Sequence, residues 1–170
     1  MLTMKSISGI LLVGLLSANA HAADVSVEWK DIESYRDIEA VNGVQERFEQ
    51  RVMQELTEHW QTLGAQLPEQ HKLSIVMTDL DLTGRVEPTF GVGGSSYMRI
   101  VDGASYPAMR FSFSYTDAEG KELSSADDVR LRDLGQGSSS KRSIMGSSRD
   151  GLYFEKQLMD DWFEKTFKRD

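Results

Sequence analysis

The sequence predicts an α+β fold. It is a two-layer sandwich in which a mostly antiparallel sheet of about five strands carries two amphipathic helices on one face, in the order β-α-β-β-β-β-α. Three observations carry this. Between residues 106 and 134, Met109, Phe111, Phe113 and Tyr115 alternate with Arg110, Ser112 and Ser114. The Asp117-Ala118-Glu119-Gly120 stretch then breaks the run, and Leu123, Val129 and Leu131 follow, which reads as a β-hairpin with one apolar face. Residues 42–63 and 150–167 each repeat apolar residues at helical spacing along a single stripe, so both helices should lie on the same side of the sheet. The first of them separates two strand-like runs, which permits a right-handed crossover between parallel neighbours. The face carrying Arg99, Arg110, Ser112 and Ser114 is expected to be the wetter one.

Residues 1–22 read as a cleavable signal peptide. Lys5 supplies the positive start, residues 10–16 a short apolar core, and Ala20-His21-Ala22 an A-x-A cleavage site. Ala23 is then the expected first residue of the mature chain and the periplasm its expected location, with secretion outside the cell the other destination. That apolar core falls short of the roughly 20 residues a membrane span takes. No later stretch is more apolar, so no transmembrane segment is expected in the mature chain. Cys is absent, so no lipid anchor through an N-terminal Cys is expected, and no disulfide, thiol nucleophile or Cys-ligated metal either. Residues 23–170 have the length of one domain and can bury a core without cross-links. The net charge of −8 repels phosphate backbones, so nucleic acid is not an expected partner. The same acidity also serves ordinary solubility.

Taken in order, residues 24–29 alternate Val25, Val27 and Trp29 against Ser26 and Glu28, a short strand. Residues 30–41 are polar and irregular, with Tyr35 as an anchor. The helix at 42–63 begins with Asn42 as a cap and Gln45 completing a capping box, and Gly64 suits the C′ position. Val44, Phe48, Val52, Met53, Leu56, Trp60 and Leu63 form its apolar arc, His59 falls inside it, and Trp60 sits at its edge. Trp60 is therefore the tryptophan expected to come nearest the surface. Residues 73–86 read as one long strand. Leu73, Ile75 and Met77 share a face, whereas Leu80 and Leu82 have the opposite parity, which calls for a bulge or a change of face near Thr78-Asp79. Gly84 marks a bend, Pro88 ends the strand, 91–96 is a loop, 97–101 a short strand and 102–105 a turn. The Ser/Gly-rich stretch 135–149 is expected to be a mobile loop. In the last helix Asp150 is the candidate N-cap. Leu152, Phe154, Leu158, Met159, Trp162 and Phe163 form its arc, with Glu155 inside it and Asp160 on the wet face.

These pieces together resemble a bacterial family, domain of unknown function 3016. The resemblance rests on the run from Val76 through Asp79, Asp81 and Gly84, and on the Tyr106-Pro107 step into the Phe-rich strand. The Asp117-Ala118-Glu119-Gly120-Lys121 turn and the Tyr153-Phe154-Glu155-Lys156 segment leading to Asp160-Asp161-Trp162-Phe163 complete it. It covers nearly the whole mature chain and implies an exported bacterial protein with no known activity and no catalytic residues to carry over. The chain departs from the family's usual pattern at 91–96 and 135–148, where it is longer.

Four groups of residues carry candidate chemistry. Asp79 and Asp81 put two carboxylates on one face of a strand, a spacing that can hold a divalent cation, although the calcium-loop pattern is not completed. Their structural alternative is acceptance of backbone N–H groups at a bulge or turn. No other cofactor is expected. His59 and Glu155 lie in the arcs of different helices and would meet as a general acid/base pair if both helices pack on one sheet face. The structural alternative is that each is satisfied locally, since a buried ionisable group is costly without a partner. His71 falls in a polar turn and is expected to be solvated. The Gly91-Val92-Gly93-Gly94-Ser95 run lacks the ending of a phosphate loop and no helix follows it. The expected function is a non-enzymatic periplasmic binding or envelope accessory module, its partner an envelope protein or a small ligand. The alternative is a hydrolase-type enzyme using His59 with Glu155, or a cation at Asp79 and Asp81.

Overall fold

The computed structural model describes residues 23–35, 38–41, 43–91, 94–101, 105–132 and 151–168. The expected leader, the Asn42 and Asp150 caps and the 135–149 loop lie outside them, as do residues 102–104 of the expected turn. The elements are β1 (Asp24–Trp29), a 3-10 turn (Ile32–Ser34), α1 (Gln45–Gly64), β2 (Lys72–Asp81), β3 (Arg85–Gly91), β4 (Gly94–Ile100), β5 (Ala108–Thr116), β6 (Glu122–Arg132) and α2 (Tyr153–Phe167). The fold is α+β as expected. The sheet is split, however, into four strands in the order β1-β2-β5-β6 and a separate β3-β4 ribbon, rather than about five contiguous strands. β1 and β2 are parallel, as the intervening helix requires, and the remaining pairs are antiparallel.

The register of β2 slips between Met77 and Asp79 against β5. That bulge resolves the parity conflict in the sequence: Leu73, Ile75, Met77, Leu80 and Leu82 are all buried on the helix side. The expected long strand does not run to residue 86. It ends at Asp81, and Thr83-Gly84 turns the chain out of the sheet, with Gly84 at φ 94. A Cβ at Gly84 would also lie 2.7 Å from the Ile100 carbonyl oxygen, so only glycine fits the corner. Pro88 does not end a strand but pairs with Tyr97 inside the ribbon. A two-stranded ribbon leaves one edge of each strand open, where the missing N–H is tolerated. Of the 91–96 segment, expected as a loop, Gly91 and residues 94–96 are strand residues of the ribbon, with Gly91 opposite Gly94, and residues 92 and 93 lie outside the described ones.

The β5–β6 hairpin forms as expected, and Met109, Phe111, Phe113 and Tyr115 are buried. Two register shifts in the pair place Ala126, Val129 and Leu131 against the core and leave Leu123 half exposed. Tyr35 anchors the irregular segment: its hydroxyl donates to the buried Met77 carbonyl at 2.8 Å, and burial pushes its pKa up to about 12. The helix α1 starts later than expected. Val44 occupies the N-cap position without a capping side chain, and the Gln45 side chain instead accepts from Ala40 N–H and donates to Ile38 O.

Both helices pack on the same sheet face. Trp60, expected near the surface, is fully buried because α2 covers its flank, with Trp162 edge-on at 5.5 Å. Gly64 is not a left-handed C′ residue. It is the last residue of α1, and a Cβ there would fall 2.1 Å from Val25 Cγ2, so glycine is required for the helix to cross β1. Gly64→Ala should therefore destabilise the fold by about 1–2 kcal/mol, because overpacking outweighs a helix-propensity gain of up to about 1 kcal/mol. Adding Val25→Ala should recover most of the loss in urea unfolding. A Gly64→Ala chain as stable as the parent would overturn this account of the crossing.

Candidate functional site: a cavity beside a buried glutamate

The stripe of α2 that faces the sheet runs through Glu155, Met159, Trp162 and Phe163, all buried. Spacing of four and seven residues keeps them on one helix face. Glu155 is therefore carried into the interior in the first turn of α2. There its Oε1 accepts the backbone N–H of Thr83 at 2.6 Å, so α2 is tied to the corner where the chain leaves the sheet. Arg99 of β4 braces the other side of that corner. Its guanidinium donates to the Thr83 and Gly84 carbonyls at 3.5 and 3.3 Å and to Glu39 O at 3.0 Å.

Burial raises the Glu155 pKa. The Thr83 N–H, the residue's own N–H, the nearby Thr83 hydroxyl and the Arg99 charge oppose that rise without cancelling it. The Thr83 hydroxyl and Glu155 Oε2 stay outside hydrogen-bonding geometry, and among the described residues both are buried without a hydrogen-bond partner. Unpaired buried polar atoms are costly and call for an explanation.

Above this corner lies a cavity of about 340 Å³. Phe48, Val52, Leu82 and Leu152 give it apolar walls, and Arg51, Glu55, Thr83 and Arg99 give it polar ones. Arg51 lies over the Phe48 ring at 5.3 Å. Glu55 sits 3.9 Å from Arg51 and 3.8 Å from Lys156. Gly151 and Leu152, at the entry to α2, complete the rim.

His59 and Glu155 do not contact each other in a shared site. His59 Nε2 lies 2.7 Å from Asp160 Oδ1, pinning α1 to α2, and does not line the cavity. Asp79 stands opposite Arg110 and Asp81 opposite Ala108, with the β2 bulge turning Leu80 inward between them. Asp79's charge acts on Tyr35 and Arg110. Among the described residues no three His, Asp or Glu side chains converge as a metal would require. His71 is not solvated as expected: its Nδ1 lies 2.7 Å from the Tyr115 hydroxyl and its ring packs on Tyr115. Arg99 belongs to the ribbon and not to the wet face of the main sheet. On that face Asp128 is gripped by Arg110 and Arg130, which hold its carboxyl well below the usual carboxylate range. Asp160, Thr83, Arg51 and Arg99 had no signature in the sequence. Glu155 did, as an acid within an apolar arc, but its partner is a backbone amide, which leaves no trace in side-chain patterns.

The fold and cavity define a two-layer α+β protein with a small-molecule-sized pocket at the sheet corner. The chain belongs to the family described as "Protein of unknown function (DUF3016)", whose pattern matches residues 23–165. No curated protein matches it. Among solved structures it is similar to a minor lipoprotein from Acinetobacter baumannii, 10% identical over 85% of this chain and 88% of that one, with a TM-score of 0.23. It is also similar to a putative neuraminyllactose-binding hemagglutinin homolog from Helicobacter pylori, 11% identical over 86% and 79%, with a TM-score of 0.24. Likenesses at these TM-scores carry no argument about this chain.

A raised carboxyl pKa has a definite sign in stability. The unfolded side chain titrates near about 4.3, and the folded one above it. The stabilising contribution is therefore complete below the unfolded value and is lost as pH rises through the folded one. Relative to Glu155→Gln, which keeps an acceptor for Thr83 N–H, the parent should lose stability as pH rises from about 4 to 7. Urea midpoints across that range test this, and a difference independent of pH would overturn it.

Proposed function

We propose that this chain is an exported protein of the bacterial envelope that works by binding, with the cavity beside the N-terminal end of α2 as its ligand site. The observation that carries this is the cavity itself: about 340 Å³, within the range of small-molecule sites, with apolar walls, two arginines and a glutamate. Export is supported by the leader-like residues 1–22, by a family match that begins at residue 23, and by β1 beginning at Asp24. No described helix is long and apolar enough to cross a membrane. A second reading, general acid/base chemistry at His59, has the 2.7 Å contact with Asp160 in its favour. That pair lies away from the cavity, which is why binding is the stronger reading.

Two measurements test the proposal. Protein recovered from the periplasmic fraction should have an intact mass that begins at Ala23; a chain retaining Met1 in the cytosol would overturn export. Thermal unfolding against a panel of sugars, amino acids, carboxylates and phosphates tests the cavity. A true ligand at a hundred times its Kd stabilises by about 2.7 kcal/mol, which raises Tm by several degrees in a domain of this size. Gly151→Trp should abolish the shift, because Gly151 lies at the rim and a Cβ there meets nothing within 4 Å. A shift that survives Gly151→Trp, or no shift with any compound, would remove the cavity as the site.

A further inference from the structure

The four-stranded sheet ends in two edge strands, β1 and β6. They differ in how they are protected. β6 slips twice in its pairing with β5 and carries Glu122, Asp127, Asp128, Arg130 and Arg132. Charges and irregular pairing keep an edge from recruiting another strand. β1 pairs with β2 through all 6 of its residues without a slip, and it contains no proline. Its inward side chains are Val25, Val27 and Trp29.

Asp24 and Lys30 donate their amides to His71 O and Met77 O. Alternate residues therefore address β2, and the amides and carbonyls of Val25, Val27 and Trp29 point out of the sheet. Among the described residues no strand pairs with that edge. The same three side chains are only half-buried, whereas Leu73, Ile75 and Met77 beside them on β2 are fully buried. The edge leaves both backbone groups and an apolar flank uncovered.

The order of residues along β1 decides what fits there. A second β1, antiparallel to the first and centred on Val27, sets Val27 opposite Val27 and Val25 opposite Trp29. It also sets Ser26 opposite Glu28 and Asp24 opposite Lys30. The outward-pointing residues then form the hydrogen-bonded pairs, each exchanging both backbone bonds. Apolar side chains meet on the helix side, and opposite charges meet at both ends. A slip of two residues one way brings Asp24 opposite Glu28, and the other way Glu28 opposite Glu28. A slip of one sets apolar side chains against polar ones. The strand is thus complementary to itself in one register. Thr57, which accepts from Trp29 Nε1 at 3.1 Å, and Gly64, packed on Val25, place one flank of α1 over β1. Gln50, Met53 and Gln61 share that flank by helical spacing, so its middle is uncharged.

We propose that this chain forms a two-fold symmetric dimer through β1, joining the sheets of two copies edge to edge. The inference stands apart from the cavity and its ligand.

Light scattering on the protein as the cell processes it, at micromolar concentration, should give twice the mass of one chain. Val27→Pro removes the amide at the two-fold axis, where an edge strand tolerates proline. It should be monomeric with an unchanged circular-dichroism spectrum. Asp24→Lys, at an exposed position, sets like charges opposite one another at both ends and should weaken the dimer about tenfold. Asp24→Lys combined with Lys30→Asp restores opposite charges and should recover the parent's affinity. These two variants keep the test sound if Val27→Pro does not fold. A monomeric parent would overturn the proposal. So would a dimer that survives in folded Val27→Pro, or one that the charge reversal leaves unmoved.

Discussion

Trp162 meets Trp60, Phe111, Phe113 and Phe167 through edge-to-face contacts at 5.0 to 5.6 Å. One side chain thus joins both helices to the central strand β5. Such contacts are worth about 0.5–1.5 kcal/mol each beyond the area they bury. Their geometry also fixes the rotation of α2 about its axis. Once Trp162 faces the sheet, the helical period carries Met159 and Glu155 inward with it. A carboxyl in that position has to find a partner, and the Thr83 amide is the one it finds.

The corner at Thr83-Gly84 follows from the same constraint. The β2 bulge keeps Leu80 and Leu82 inward after the register slips, so the strand reaches its end with Thr83 buried and its amide directed at α2. The chain then turns through Gly84 and leaves as a ribbon. Arg99 comes back from that ribbon to the carbonyls of the corner. The space between α1, the corner and the start of α2 is the cavity on which the binding proposal rests, and two of its polar residues, Thr83 and Arg99, hold the corner together. Arg99 thus both lines the cavity and braces the corner. The His59–Asp160 contact clamps the two helices elsewhere.

Much of the fold was legible in the residues. Alternation identified β1, β5 and the inward face of β2, because a half-buried strand must alternate. The parity change after Met77 announced a bulge, since no regular strand buries both Met77 and Leu80 on one side. Helical spacing identified both helices and placed Glu155 in an apolar arc. These are local consequences of period and polarity, and they needed no knowledge of neighbours. The family could be read for the same reason, its motifs being short runs along the chain.

Only the tertiary structure decided which groups meet. The wheel of α1 alone put Trp60 at an edge; α2 turned that edge into interior. Gly64 looked like a helix stop until β1 crossed it with Val25. Pro88 looked like a strand end because nothing local distinguishes a ribbon with open edges from a sheet. His59 found an acid that the wheel of α2 had assigned to solvent, and Glu155 found a backbone amide. The cavity has no sequence pattern because its walls come from α1, the β2–β3 corner, β4 and the start of α2, segments far apart in the chain. Periodicity determines which face of each element is apolar. Partners across the core depend on how those faces are rotated against one another, and that is set by packing.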